Sequence, residues 1–231
     1  MSGMSDMGQT LPAMTSATAM IRTLGLIAAL CGIIIVSAYQ GTWDAVQENK
    51  RIAVERAVFK VIPGAITIVE YFALAEGGIK KAGAGETAPS GALKFYAGYD
   101  KDGKLAAIAA EGAAKGYSDF VRILFAWDPV KGQATGFGIV SSRETPGIGD
   151  KILTPEFLAN FPLEVRLTDD GRGIANPIRT VKHGTKANPW EIDAYAGATI
   201  TSRAVGKAID DAARALLPRI APHLSAIEVM Q

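Results

Sequence analysis

One cysteine, Cys31, and two histidines, His183 and His223, are all that 231 residues offer of the usual metal and redox side chains. A lone cysteine excludes an intrachain disulfide, a cysteine-ligated iron–sulfur cluster and a thiolate zinc site within this chain. The histidines lie 40 residues apart with no helical spacing between them, so no metal is expected and each reads as a surface or loop histidine. An excess of one charge is missing too: 24 Lys and Arg against 23 Asp and Glu leave a net +1. No basic stripe with interleaved aromatics is present, and nucleic acid is therefore not an expected partner.

What is present is apolar. From Thr23 to Trp43 the chain runs 21 residues without a charge, bounded by Arg22 and Asp44. As a helix it would span about 31 Å, the thickness of a bilayer's hydrocarbon core. Tyr39 and Trp43 stand at its far end, where interfacial aromatics are favoured. Val36-Ser37-Ala38 would also satisfy a signal-peptidase rule, but the run exceeds a usual signal core, and a retained anchor over residues 20–42 is the expectation.

Residues 1–19, rich in Met, Ser, Thr and Gly, read as a flexible tail. After the span, Trp43, Val46, Ala53, Val54, Ala57, Val58 and Val61 recur at helical steps, giving a juxtamembrane helix over 43–62 that Pro63-Gly64 stops. Residues 63–231 then form the soluble part. Asp102-Gly103 and the stretch Pro129–Gly132 each separate two strand-like runs, predicting two antiparallel hairpins. A short helix is expected at TPEFLANF, with Thr154 as cap and Pro155 in the first helical position. Strands follow at LEVRLT and IRTVK, then the loop HGTKANPWEID and a C-terminal helix from Thr199. Residues 76–91, a Gly/Ala/Ser/Pro cluster, read as a surface loop. This is the pattern of one α+β domain of antiparallel strands with a C-terminal helix, large enough for its own core.

Two stretches stand out chemically. In SSRETPGIGDKI, residues 141–152, Pro146 fixes φ and Gly147 can take positive φ, which predicts a type II turn exposing backbone N–H groups after a strand. In DAYAGATITSRAV, residues 193–205, small residues deliver Thr199, Thr201 and Ser202 to the start of the last helix. Capping alone would account for hydroxyls there. An anion-binding helix N-terminus would too.

Together, ETPGIGDK and, some 45 residues later, DAYAGATITSRAV resemble the paired motifs of the membrane-anchored FMN-binding domain family. That domain occurs in the G subunit of the Rnf electron-transport complex and in the C subunit of the sodium-translocating NADH:quinone oxidoreductase; the compact length favours the former. The resemblance spans about residues 20–220 and implies FMN joined covalently through its phosphate to a threonine, installed from FAD by a separate flavin transferase. Matched position by position, it implies Asp193 as the first motif residue, Gly197 and Ala198 as the small pair, Thr199 as acceptor and Thr201 as the non-acceptor hydroxyl. Ala196 departs from the pattern, which usually has Ser or Thr there.

With a phosphate at that helix start, Thr201, Ser202 and Arg203 are candidate phosphate neighbours, and Glu144, Thr145, Gly147, Gly149 and Tyr117 are candidate ring contacts. The resemblance implies other membrane subunits of an Rnf-type complex as partners, relaying electrons between ferredoxin and NAD chemistry coupled to an ion gradient. It also implies a single-pass protein of the bacterial inner membrane with a periplasmic domain. The flanking charges, Arg22 before the span and Lys50, Arg51, Arg56 and Lys60 after it, favour the opposite orientation, but large domains translocate largely regardless of such charges. A membrane-anchored binding or assembly domain without redox chemistry stays open beside these readings.

Overall fold

The computed structural model describes residues 16–83 and 85–229, without the side chains of Lys50 and Arg51. The expected tail therefore lies outside the described residues as far as residue 15, and its last residues are already helical. The chain divides into two units, residues 1–50 and 51–231. One helix, α1 (Ala17–Val61), covers both the expected span and the juxtamembrane helix without a break.

Within the first unit, Leu24, Leu26, Ile27, Leu30, Ile33, Ile34, Ile35 and Val36 are all more than half exposed. Apolar side chains on every side, left uncovered by the described residues, suit lipid and not water. By length and composition this helix can cross a membrane.

The second unit is built on one antiparallel sheet of seven strands: β1 (Thr67–Ala73), β2 (Ile79–Lys81), β3 (Leu93–Tyr99), β4 (Leu105–Lys115), β5 (Phe120–Asp128), β6 (Gln133–Ser141) and β7 (Leu163–Glu164), ordered β2-β1-β3-β4-β5-β6-β7. The expected hairpins are β3–β4 and β5–β6. Because successive side chains point to opposite faces, β4 and β5 feed two cores. Ile108, Ala110, Val121, Ile123, Phe125 and Trp127 join the larger core, whereas Ala107, Ala109, Leu124 and Ala126 meet Val58, Val61 and Ile62 on the other face. The end of α1 thus packs on one side of the sheet.

On the other side lies α3 (Thr199–Ile220), presenting Val205, Ala208, Ile209, Leu216 and Leu217 to the larger core. It takes Pro218 into its last turn. Close packing needs small residues, and Gly112 of β4 supplies one: a Cβ there would overlap the Ala208 carbonyl. Strands β8 (Arg179–Val181) and β9 (Glu191–Asp193) form a small parallel pair beside α3.

Four local readings need correction. The loop 76–91 contains β2, which adds an edge strand to β1. LEVRLT is strand only at Leu163–Glu164, and the loop before the last helix ends in β9. The helix at TPEFLANF is the single turn α2 (Pro155–Leu158); Thr154 stands at its cap position, but its hydroxyl donates backward to the Lys151 carbonyl at 2.7 Å.

Candidate functional site

Strand β4 ends at Lys115, and the tight connection to β5 is closed by the Gly116 N–H donating to the Asp119 carbonyl at 2.8 Å. Three successive N–H groups of that connection, from Tyr117, Ser118 and Asp119, converge on one carboxylate. It is Glu144, just beyond β6: Oε2 accepts from Tyr117 at 3.2 Å, and Oε1 accepts from Ser118 at 2.9 Å and Asp119 at 3.5 Å. Consecutive N–H groups pointing inward form a concavity for an anion. Here the anion is the protein's own.

A fourth donor comes from α3. The Thr201 hydroxyl, 2% exposed, donates to Glu144 Oε2 at 2.5 Å. A carboxylate has about four acceptor sites, so these donors use its capacity. Burial raises the Glu144 pKa, but the bonds from Thr201, Ser118, Tyr117 and Asp119 outweigh it and hold the carboxyl below the ordinary glutamate value. Two glycines make room: a Cβ on Gly116 would lie 2.6 Å from Glu144 Oε1, and one on Gly149 would overlap the Glu144 side chain.

The segment after Glu144 is the expected turn. Gly147 has φ +78°, and the Thr145 carbonyl accepts from the Ile148 N–H at 3.1 Å and the Gly149 N–H at 2.8 Å. Those two N–H groups close the turn. Glu144 and Gly149 also pack against each other, since a Cβ on Gly149 would overlap the Glu144 side chain.

At the start of α3 none of the three hydroxyls caps the helix. Ala198 holds the cap position, without a side-chain bond. Ser202, fully buried, donates to the Ala198 carbonyl at 2.8 Å and accepts from the Tyr195 N–H at 3.1 Å. Thr201 and Ser202 thus both turn inward, with their hydroxyls bonded to the protein. Arg203 is exposed.

Thr199 differs. It is half-buried, and among the described residues its hydroxyl has no hydrogen-bond partner. The first helical hydrogen bond after it is Ser202 N–H to Ala198 carbonyl at 2.9 Å, so the N–H groups of Thr199, Ile200 and Thr201 precede the helical ladder. Gly197, at φ +87°, and Gly147 would meet nothing within 4 Å if they carried a Cβ. The space beside both is open.

Asp193 belongs to a neighbouring arrangement. Its carboxylate accepts from the Gly184 N–H at 2.8 and 3.0 Å and lies 3.7 Å from His183 Nδ1. That His183 nitrogen is 3.0 Å from the Ala194 carbonyl; since a carbonyl only accepts, Nδ1 carries the proton. Asn160, 6% exposed, clamps the Asp193 backbone, accepting its N–H at 2.7 Å and donating to its carbonyl at 3.1 Å. Asn160, His183, Asp193 and Ala194, with Glu156, Lys186 and Tyr195, line a pocket of about 210 Å³. Burial lowers the Lys186 pKa against the opposing pull of Asp193 and Glu191.

Tyr117, Glu144, Gly149 and Thr201 thus meet directly, with Thr145 and Gly147 in the attached turn, whereas Asp193 serves the pocket. The sequence reading missed Ser118 and Asp119, although GYSD after a strand was a turn signal. It also missed Asn160, Ile148 and Ile200, which carry no local signature.

Residues 116–214, from the Gly116 connection through most of α3, match the FMN-binding domain family. The G subunit of the ion-translocating oxidoreductase complex of Haemophilus influenzae (strain PittEE) is 32% identical over 189 residues, 79% of this chain and 81% of that protein. The G subunit of the proton-translocating ferredoxin:NAD(+) oxidoreductase complex of Clostridium ljungdahlii is 34% identical over 123 residues, 53% of this chain and 60% of that one. In fold, the chain resembles the crystal structure of Shewanella oneidensis NqrC, with TM-score 0.59, 18% identity, and coverage of 78% of this chain and 98% of that one. With relatedness extending over four fifths of one such protein, the chain belongs to the family of G subunits of ion-translocating oxidoreductase complexes.

Proposed function

We propose that this chain is a membrane-anchored flavoprotein subunit that carries FMN joined through its phosphate to Thr199. It relays electrons between neighbouring membrane subunits of an Rnf-type ferredoxin:NAD oxidoreductase coupled to ion translocation. The observation that carries the reading is Thr199 itself: among the described residues, it is the one hydroxyl of the three that no protein atom holds, at the first residue of a 22-residue helix.

The residues present fit a phosphate-linked flavin. A phosphodiester keeps one negative charge, which a helix N-terminus with unpaired N–H groups stabilises. Open space at Gly197 and Gly147 admits a bulky group on that side. Tyr117, Ile148 and Ile200 are 71%, 52% and 48% exposed and come from the three segments joined at Glu144. A flat apolar ring would cover them.

In loading, the Thr199 oxygen forms a bond to the FMN phosphorus of FAD, the phosphoanhydride bond breaks, AMP leaves and the hydroxyl proton passes to the flavin transferase. Bound FMN supplies one- and two-electron chemistry. The chain's own part is to present the hydroxyl, keep Thr201 and Ser202 turned away from it, and shield one side of the ring. The apolar stretch over residues 20–42 holds the domain at the bacterial inner membrane as a single span, with the domain in the periplasm beside the transferase.

The full chain, made with the transferase present, should give a denatured band that fluoresces under ultraviolet light. Thr199→Ala abolishes that fluorescence, whereas Thr201→Ala keeps the flavin covalent in smaller amount. Fluorescence surviving Thr199→Ala overturns the acceptor assignment. A dark unmutated band overturns the flavoprotein reading in favour of an assembly domain.

A further inference from the structure

We propose that Glu144 is the positioning residue of the acceptor: seated on the N–H groups of 117–119, its carboxylate holds Thr201 inward and thereby turns Thr199 outward. The inference rests on reading Thr199 as the acceptor. Its geometry, however, belongs wholly to this chain.

Helical phase links the two threonines. Each residue of an α-helix advances about 100°, so Thr199 and Thr201 stand about 200° apart and cannot share a face. Thr201 is fixed by the 2.5 Å bond to Glu144, and Ser202 by its bonds to Tyr195 and Ala198. Two neighbouring hydroxyls pinned toward the protein leave one direction for the hydroxyl at Thr199.

The pin is firm because its other end is firm. Glu144 does not reach across from a flexible stem: Gly149 packs against its Cβ, Gly116 lies under Oε1, and the Ser142 hydroxyl accepts the Glu144 N–H at 3.2 Å. Hydrogen bonds to a charged acceptor are also shorter and roughly twice as strong as neutral ones. A buried hydroxyl that meets a neutral partner would let the first turn of α3 rotate or fray, and a misplaced nucleophile loses rate steeply, about a hundredfold per ångström in unfavourable cases.

The same chemistry assigns roles to letters that the family pattern leaves unexplained. Thr201 is a second hydroxyl because the helix must be held by its inward face, and Glu144 precedes the Pro-Gly turn because the turn delivers Gly149 against it. Glu144 acts through Thr201 and is not itself a ligand of the flavin.

The test compares full-length unmutated protein, Thr201→Val, Thr201→Ser and Glu144→Gln for the rate of covalent flavin incorporation by the transferase, at several FAD concentrations. The thermal midpoint of each flavin-free chain is measured alongside. Thr201→Val is isosteric and keeps the buried volume. Positioning predicts a roughly ten- to hundredfold lower maximal rate for Thr201→Val and Glu144→Gln, with the FAD concentration for half-maximal rate unchanged. Thr201→Ser, which restores the donor, should return most of the rate. Incorporation by Thr201→Val at the unmutated rate overturns the proposal while leaving Thr199 as acceptor. So does a Thr201→Ser chain as slow as Thr201→Val at an unmutated thermal midpoint. Loss of flavin from the unmutated protein would instead strike the acceptor reading on which the proposal stands.

Discussion

The α-carbon of Gly112 in β4 sits directly beneath the carbonyl of Ala208 in α3, at a separation that a Cβ would close to overlap. This contact sets how deeply α3 lies on the sheet, and α3 carries both Thr199 and Thr201. Gly206 makes the matching approach on another side of the helix, where a Cβ would overlap the Thr180 hydroxyl that donates to the Ser202 carbonyl at 3.1 Å. Overpacking a well-filled core costs about 1–3 kcal/mol. Gly112→Ala is therefore expected to lower the urea midpoint by that equivalent, because the obstructing atoms are backbone and cannot rotate away. A midpoint equal to that of the unmutated protein would show that α3 shifts off the sheet freely.

Much of this architecture was legible because its signals are local. Asp102-Gly103 between apolar runs marked the β3–β4 hairpin, Pro63-Gly64 marked the end of α1, and Pro146-Gly147 marked a turn that the structure closes through the Thr145 carbonyl. What was not legible depends on partners distant in sequence. Nothing near Glu144 shows that its carboxylate will meet Thr201, 57 residues on. Three residues of EID become strand β9 only because β8 lies alongside. Hydroxyls at a helix start suggested capping, yet the cap fell to Ala198, since burial of Thr201 and Ser202 on the inward face outcompeted the local bond.

Glu191 gives the domain a pH dependence of definite sign. The Ala187 N–H, the Arg179 guanidinium and the Asn188 N–H bind its carboxylate and draw its pKa down to about 2. A group whose folded pKa is depressed contributes stability that is fully present above its unfolded value, near 4.5, and is lost as pH falls through about 2. The urea midpoint should accordingly be level from pH 7 to about 5 as far as this group is concerned, then decline as pH falls toward about 2. Glu191→Gln should start lower at about pH 7 and decline less across that window. Parallel curves for the two proteins would remove Glu191 from the account.

Anchoring by α1 makes a prediction about charge. An ionised side chain at a helix centre costs about 2.5–3.5 kcal/mol on insertion scales. Full-length protein should stay with the membrane pellet through an alkaline wash, and a Leu30→Arg, Ile34→Arg double variant should move to the supernatant. A phosphatase reporter fused after Gln231 should be active, because that enzyme matures only on the periplasmic side. An inactive phosphatase together with an active cytoplasmic reporter at the same site would reverse the proposed orientation.

Asn160 ties α2 to the segment that leads into Thr199, and its removal separates packing from hydrogen bonding. Its side chain satisfies both the N–H and the carbonyl of Asp193, donates to the Phe157 carbonyl at 2.9 Å, and receives Lys186 Nζ at 3.4 Å. An amide alone can do this, since it both donates and accepts at one planar end. Leaving a buried polar group unpaired costs about 1–3 kcal/mol. Asn160→Ala, which abandons the Asp193 backbone, should cost at least about 2 kcal/mol of stability by that reckoning. Asn160→Asp keeps the acceptor for the Asp193 N–H but cannot donate to its carbonyl, and should destabilise less at a pH low enough to protonate the new carboxyl. If Asn160→Ala unfolds at the unmutated urea concentration, solvent has replaced the amide and the clamp contributes nothing to holding the segment before Thr199.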